Sequence, residues 1–482
     1  MITSPPPQPQ AFTAEGRSRQ LASLGYLVLA VGSAYYWSQS PWSDPLLKFL
    51  SILIGVLGVV PILRWLQRND EAYPLIELLQ LTMVPFYAIP LLNAHEVVAR
   101  YPESILLPAA GIVVLVQILG QIGALVADSN YRATPQSPWW TDDLVSDDTL
   151  RFSGYIFMAT SVWLVITNFT PWVPSGLTGT LRAVFFGTGT ISAFIQARLW
   201  GSNQLNQTQK LLFVFNIVAQ FILMNLSLVL VTSMILLLLI LIGYFSSARR
   251  LPLMVFLIAL PTFALLHAGK HQMRDKHWGE LGLAVEPSAV PAFYVEWMQY
   301  GVGTFFNLPG EDASPIKRSS LFERASLFQL VCYALDTVPG QTPYLQGESY
   351  SYVWPQIIPR FLWPSKPSPN DSVKLLSVKL GVLTEEQAET TSIGYGLITE
   401  AYVNYGVTGT GVLGFILGWV LRKVSRLTAQ CGTLSGGGIF RILCLAWCLN
   451  AETTMAVWLS SFYQACIAIF GPLLLYSSFT KR

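Results

Sequence analysis

YLQGESYSYVWPQIIPRFLWPSKP, residues 344–367, is the stretch on which the reading of the fold turns. It holds too many prolines and polar groups to cross a bilayer. It sets Glu348, Arg360 and Lys366 among the rings of Tyr344, Tyr350, Tyr352, Trp354, Phe361 and Trp363. Around it runs a hydrophilic segment, roughly 270–391, flanked on both sides by strongly apolar chain. Long connections with this much charge and ring chemistry are usually functional. The stretch reads as the working face of a protein whose remainder lies in a membrane.

Composition agrees. Of 482 residues, 52% are hydrophobic and 12% charged, where a soluble domain carries about 25% charged residues. Mean hydropathy is +0.47. With apolar runs approaching span length, this points to an integral membrane protein. The net charge of +2 and the lack of a basic tract give no reason to expect nucleic acid. The five cysteines form no metal-ligand pattern; Cys444, Cys448 and Cys466 fall in apolar runs. Cys332 alone lies in the long polar segment, which therefore has no internal disulfide.

Residues 1–20, with PPPQPQ, Arg17 and Arg19, read as a disordered basic tail. Spans are expected at 21–37, 46–66, 74–93, 104–127, 152–169, 181–200, 211–228, 229–247, 251–268, 393–420, 439–456 and 457–478, each near the ~20 residues that cross a bilayer. The expected fold is thus an all-α polytopic membrane protein of about twelve spans. Nine lie in 21–268, a large external loop covers 269–392, and three fill 393–482. Arg64/Arg68, Arg198/Lys210, Arg249/Arg250, Arg422/Lys423/Arg426 and Lys481/Arg482 fall on one side of this arrangement. Lys and Arg mark the cytoplasmic side, so both termini are expected there and the long loop outside. The cations of that loop then ask for an anion. Residues 128–150, with Trp139, Trp140 and five aspartates, read as an acidic cytoplasmic surface loop with interfacial tryptophans.

Several residues are suited to chemistry. His267, Lys270, His271, Arg274 and His277 recur at three- and four-residue steps, so a continuing helix puts them on one face. That face would suit a phosphate or pyrophosphate; lipid headgroups are the plainer alternative. No carboxylate or cysteine completes a metal site around these histidines, and none is expected. Arg318, Arg324 and Phe328 precede an amphipathic run expected to lie along the membrane surface. Both arginines are candidates for anion binding or for simple salt bridges. Arg360 follows Pro359, and Lys366 precedes Pro367, so each cation sits beside fixed backbone. Glu400 and Asn404 lie one turn apart at the start of the tenth span. An acid there faces a cavity or a partner, as a general base or as the mate of a loop cation. Gly414 and Gly418 form a GxxxG ridge for close helix packing.

Three pieces in order carry a family resemblance: Arg318, GESYSYVWPQIIPRFLWPSKP and GLITEAYVNYGVTGTGVLG. Together with the many spans and one dominant loop, they resemble the Wzy-type oligosaccharide repeat-unit (O-antigen) polymerases. The resemblance covers about a tenth of the chain; its most specific part is proline, arginine, two residues, Trp-Pro, then Lys-Pro. It implies a polytopic glycosyltransferase of the GT-C type in the bacterial cytoplasmic membrane. Such an enzyme uses undecaprenyl-diphosphate-linked saccharides, without cofactor, metal or nucleotide sugar. It moves the growing chain from its lipid carrier to a newly flipped repeat unit. A polysaccharide chain-length regulator is a conceivable partner. The resemblance assigns diphosphate contacts to Arg360, Lys366 and Arg318, with Glu400 and Asn404 in the tenth span. Glu348 as an alternative base, and Arg324, Tyr350, His267, Lys270 and Arg274 as substrate contacts, come from the residues themselves. Two other readings stay open. A lipid-linked saccharide ligase would show the same loop chemistry. A flippase would need charge along the spans rather than in the loop.

Overall fold

In the computed structural model, the described residues are 10–68, 73–131, 136–142, 147–170, 175–248, 250, 252–277, 285–306, 326–358, 362–363, 365–432, 435–450 and 452–480. Among them there is helix and no strand. The chain forms α1 (Gln10–Gln39), α2 (Pro45–Gln67), α3 (Leu75–Leu92), α4 (Glu103–Ser129), the short α5 (Pro138–Thr141) and α6 (Asp147–Phe169). It continues with α7 (Ser175–Gly201), α8 (Gln207–Asn225), α9 (Leu230–Ala248), α10 (Leu253–His277) and α11 (Val290–Phe306). Then come α12 (Phe328–Thr337), α13 (Val353–Ile357), α14 (Asp371–Lys379), α15 (Glu385–Thr390), α16 (Gly396–Leu427), α17 (Gly436–Cys448) and α18 (Met455–Thr480). Each of the twelve apolar runs overlaps a helix, but the run at 439–456 passes the end of α17 at Cys448 and reaches the start of α18. Seven helices over the described residues are long and apolar enough to cross a membrane.

The helices fall into two compact units. One comprises residues 1–142 and 325–463, the other residues 143–324 and 464–482. These units cut across the division expected from hydropathy.

In the first unit, local chemistry starts α2: the Asp44 side chain accepts from the Leu46 amide at 2.7 Å, with Pro45 behind it. Within α3, residues 84–88 form a π turn around Pro85. Pro90, lacking an N–H, cannot serve the Phe86 carbonyl four residues earlier. The Leu327 amide takes that carbonyl at 3.1 Å and ties the return of the chain to α3. Helices α4 and α16 pack at glycine contacts. A Cβ on Gly414 would stand 2.5 Å from the Val116 carbonyl, and one on Gly418 would overlap the Gly120 carbonyl. The expected GxxxG ridge is this seam.

The described part of the polar segment contains helices. Phe328, Val331 and Cys332 of α12 and Leu376 of α14 are fully buried in the same core as Leu47, Ile54, Leu106 and Val113. The amphipathic run after Phe328 packs inward. Its apolar face is spent on this core, which offers more complementary packing than headgroups do. Residues 136–141 also depart from expectation: α5 docks on the corner between α16 and α17. Trp140 Nε1 donates to the Leu427 carbonyl at 3.2 Å, and the Gly432 amide to the Thr141 carbonyl at 2.8 Å. Trp139 lies over Gly436, where a Cβ would come within 2.5 Å of the ring. Arg422, 5% exposed, bonds Asp128 at 2.9 Å and Glu77 at 3.4 Å. Arg426 bonds Asp128 at 2.7 Å. A buried guanidinium needs such partners.

The second unit begins with α6, α7 and α8 running up, down and up, and α8 opens on a capping box between Asn206 and Gln209. The long apolar run 211–247 breaks at Leu228, whose φ is 56°. Helix α10 continues past the expected span end to His277 and packs on α11 through Gly269 and Gly301. Trp297, fully buried, donates from Nε1 to the Leu266 carbonyl at 2.6 Å.

Candidate functional site

The site grows from a kink in α16. Tyr405 (φ −138°, ψ 17°) and Gly406 (φ 61°, ψ −151°) leave helical geometry. The second conformation is essentially open to glycine alone. A break of this kind strips the preceding carbonyls of their intrahelical donors. Residues 345–347 supply replacements. The Leu345 amide donates to the Val403 carbonyl at 3.0 Å and the Gln346 amide to the Asn404 carbonyl at 3.1 Å. The Gly347 amide reaches Asn404 Oδ1 at 2.9 Å. Two tyrosines lock the join reciprocally. Tyr344 covers Gly406, where a Cβ would lie 3.0 Å from its hydroxyl. Tyr405 covers Gly347 (φ 94°), where a Cβ would overlap its hydroxyl.

Beneath this join lies a buried polar network. Ser349 Oγ donates to Glu400 Oε1 at 2.8 Å, and Asn404 Nδ2 donates to Ser349 Oγ and to the Glu400 carbonyl, both at 2.8 Å. Glu400 Oε2 accepts the Met455 amide, the first of α18, at 2.6 Å. All three side chains are fully buried. Glu400 thus caps a helix N-terminus, where a carboxylate is favoured, and both of its oxygens are occupied. Asn404 has an acceptor and two donor bonds in place.

The surface above differs. Glu348 is exposed, with Lys379 at 3.4 Å. Tyr350 stacks on Tyr405 at 6.2 Å. Burial first, then the nearby Glu400 charge, pushes its phenol above the ordinary value, so it stays a hydrogen-bond donor. Lys366 is 8% exposed; its Nζ donates to the carbonyls of Ile358 at 2.7 Å and Gln356 at 3.4 Å. Gln356 bonds the Tyr352 and Pro367 carbonyls, both at 3.1 Å. Lys366 and Gln356 thereby clasp the turn that presents exposed Trp354, Leu362 and Trp363. Arg360 lies outside the described residues, as do Arg318 and Arg324.

The basic face of α10 belongs to the second unit. Arg274 donates to the Leu228 carbonyl at 3.0 Å. His277 and Lys276 meet Glu296 of α11 at 3.1 Å and 2.5 Å. His267 and Lys270 lie on the same helix, both partly buried; the His271 side chain is outside those described. Of the residues singled out from sequence, the structure brings Glu348, Tyr350, Glu400 and Asn404 together on one join. Sequence reading missed Ser349, Gly347, Gly406 and Lys379. The glycine in YLQGESY, opposite the glycine after VNY, was the available signal.

Residues 155–443, more than half of the chain, match the family model described as Domain of unknown function (DUF8712). The matched region starts in α6, ends in α17 and includes the whole join between residues 344–350 and α16. No curated protein and no solved structure matches the chain. The chain belongs to the DUF8712 family.

Proposed function

We propose that this member of the family polymerises undecaprenyl-diphosphate-linked oligosaccharide repeat units on the external face of the bacterial cytoplasmic membrane. In this reading the chain has about twelve spans, both termini in the cytoplasm and residues 269–392 outside. Support comes first from the residue pattern of 344–367 and 396–414 described above. The observation that carries it furthest is the join itself: a charged, aromatic turn is fastened rigidly to the kinked start of an apolar helix. A transferase needs its reacting groups fixed on such a support.

A hydroxyl oxygen of the incoming repeat unit attacks the anomeric carbon of the growing chain. The bond from that carbon to the diphosphate oxygen breaks, and the electron pair leaves with the lipid diphosphate. The hydroxyl proton passes to a carboxylate. Of the two candidates, Glu348 is exposed, while Glu400 has both oxygens engaged. Glu348 is therefore the base in this scheme and Glu400 a positioning residue. Arg360, with Arg318 and Arg324, would stabilise charge developing on the departing diphosphate without a metal. Lys366 holds the carbonyls of Gln356 and Ile358, which precede Arg360 in the sequence.

The test is to delete the gene and label accumulated lipid-linked sugar with a membrane-impermeant reagent. Single repeat units on the external leaflet are expected, and Arg360→Ala should reproduce them in a strain that still makes the protein. Units trapped on the cytoplasmic leaflet would replace this reading with a flippase.

A further inference from the structure

A cavity of about 190 Å³ opens in the second unit among the start of α6, the end of α7 and the start of α8. Its walls include Gly154 and Phe157 of α6, Gln196 of α7, and Gln209, Phe213 and Asn216 of α8. Gln196 and Asn216 are each 4% exposed. No charged side chain is among the described lining residues. Ligand pockets typically measure about 300–1,000 Å³, so this one takes part of a ligand and leaves the rest outside.

Three observations specify that part. The first is depth. Helices α6 and α8 both contain stretches long and apolar enough to cross a membrane, beginning at Phe152 and Gln207. The cavity opens at the first turns of both, at the level where a bilayer changes from hydrocarbon to ester and headgroup, and runs inward to Asn216, midway along the second. The second is the mouth, where Tyr155, Met158 and Leu212 are 67%, 38% and 45% exposed. Side chains of this kind face acyl chains rather than water. The third is the donor set. Gln209 uses Oε1 to accept the Asn206 amide at 2.9 Å, which turns its amide nitrogen away from the cap. Asn216 Oδ1 accepts from Ser161 at 2.7 Å, and one Nδ2 hydrogen serves the Leu212 carbonyl at 2.8 Å. What these two carboxamides still offer is N–H.

We propose that this cavity binds the acyl-ester group of a neutral glycerolipid: the ester carbonyl accepts from Gln209, and the acyl chain leaves past Met158 and Leu212. A phosphate would call for Arg or Lys in the wall, and the wall has neither among its described residues. This inference is independent of the transfer reaction proposed above.

The full-length protein in detergent is incubated with monooleoylglycerol or its ether-linked analogue, and retained adducts are counted by native mass spectrometry. The ether has the same chain and hydroxyls but no carbonyl. Wild type should retain the ester about fivefold more than the ether, the order of one hydrogen bond. Gln209→Glu keeps the capping box, which accepts glutamate at this position, and removes the amide donor. It should bring ester and ether to parity. Gly154→Leu should abolish both adducts by filling the cavity; the backbone has room, since a Cβ there stands 3.4 Å from Gln196 Nε2. Equal retention of ester and ether by wild type, an unchanged ratio in Gln209→Glu, or stronger retention of phosphatidylglycerol than of monooleoylglycerol overturns the assignment.

Discussion

Ser349 and Glu400 are 51 residues apart in the chain and are joined by a 2.8 Å hydrogen bond in which the serine hydroxyl donates to Oε1. Through Glu400 the bond continues to the Met455 amide, so one carboxylate holds the turn, the kinked helix and the start of the last helix together. Ser349→Ala removes a donor from Glu400 and an acceptor from Asn404. It should cost about 1–3 kcal/mol, the penalty for unsatisfied buried polar groups, seen as a lower thermal midpoint in detergent. Combined with Glu400→Gln, the loss should be smaller than the sum of the single losses, because both act in one network. Strict additivity would mean that the two residues work separately.

The kink should tolerate no side chain at residue 406. Gly406→Ala forces a Cβ into φ 61°, ψ −151° and against the Tyr344 hydroxyl. A cost of about 1–3 kcal/mol follows from the backbone alone. The measurement is limited proteolysis: cleavage within 344–367 should speed up while the apolar helices stay intact. An unchanged digestion pattern would show that the clasp survives without the glycine.

Lys366 separates a structural from a ligand role. Its ammonium serves the Ile358 and Gln356 carbonyls within the turn. Lys366→Met should therefore lower the thermal midpoint of the ligand-free protein as well as polymer formation. If polymer is lost with no change in midpoint, the lysine acts on substrate.

At the helix seam, Gly418→Ile should be among the most damaging single changes in the first unit, since even a Cβ overlaps the Gly120 carbonyl. Helices α4 and α16 would have to separate, and the yield of monodisperse protein should fall severalfold. Surface-facing Val412→Ile on the same helix, 52% exposed, is the control that should behave as wild type.

The α10–α11 pair should weaken in acid. Burial by itself would raise the Glu296 carboxyl; the Lys276 and His277 bonds outweigh it and hold the group below its ordinary value of 4.5. A depressed folded value means that the stabilisation is present above about pH 4.5 and is lost as pH falls through the lower folded value. Glu296→Gln should flatten the pH dependence of unfolding in that window. The same slope in both proteins would assign it to other acids.

The sequence by itself determined where the long apolar helices lie. Apolar runs of span length have few other solutions, and the glycines at 414 and 418 announce a close contact by their spacing alone. It did not determine which contact, nor what the polar segment does. Hydropathy averaged over 269–392 conceals α12 and α14, because their buried faces are diluted by prolines and charges between them. Only the tertiary structure decided that Phe328 and Leu376 join the core, that Glu400 caps α18, and that Lys366 closes its own turn. Hydrogen-bond partners brought together across 51 or more residues leave no local periodicity to read. A buried carboxylate, moreover, looks the same in sequence whether it faces a substrate or a helix end.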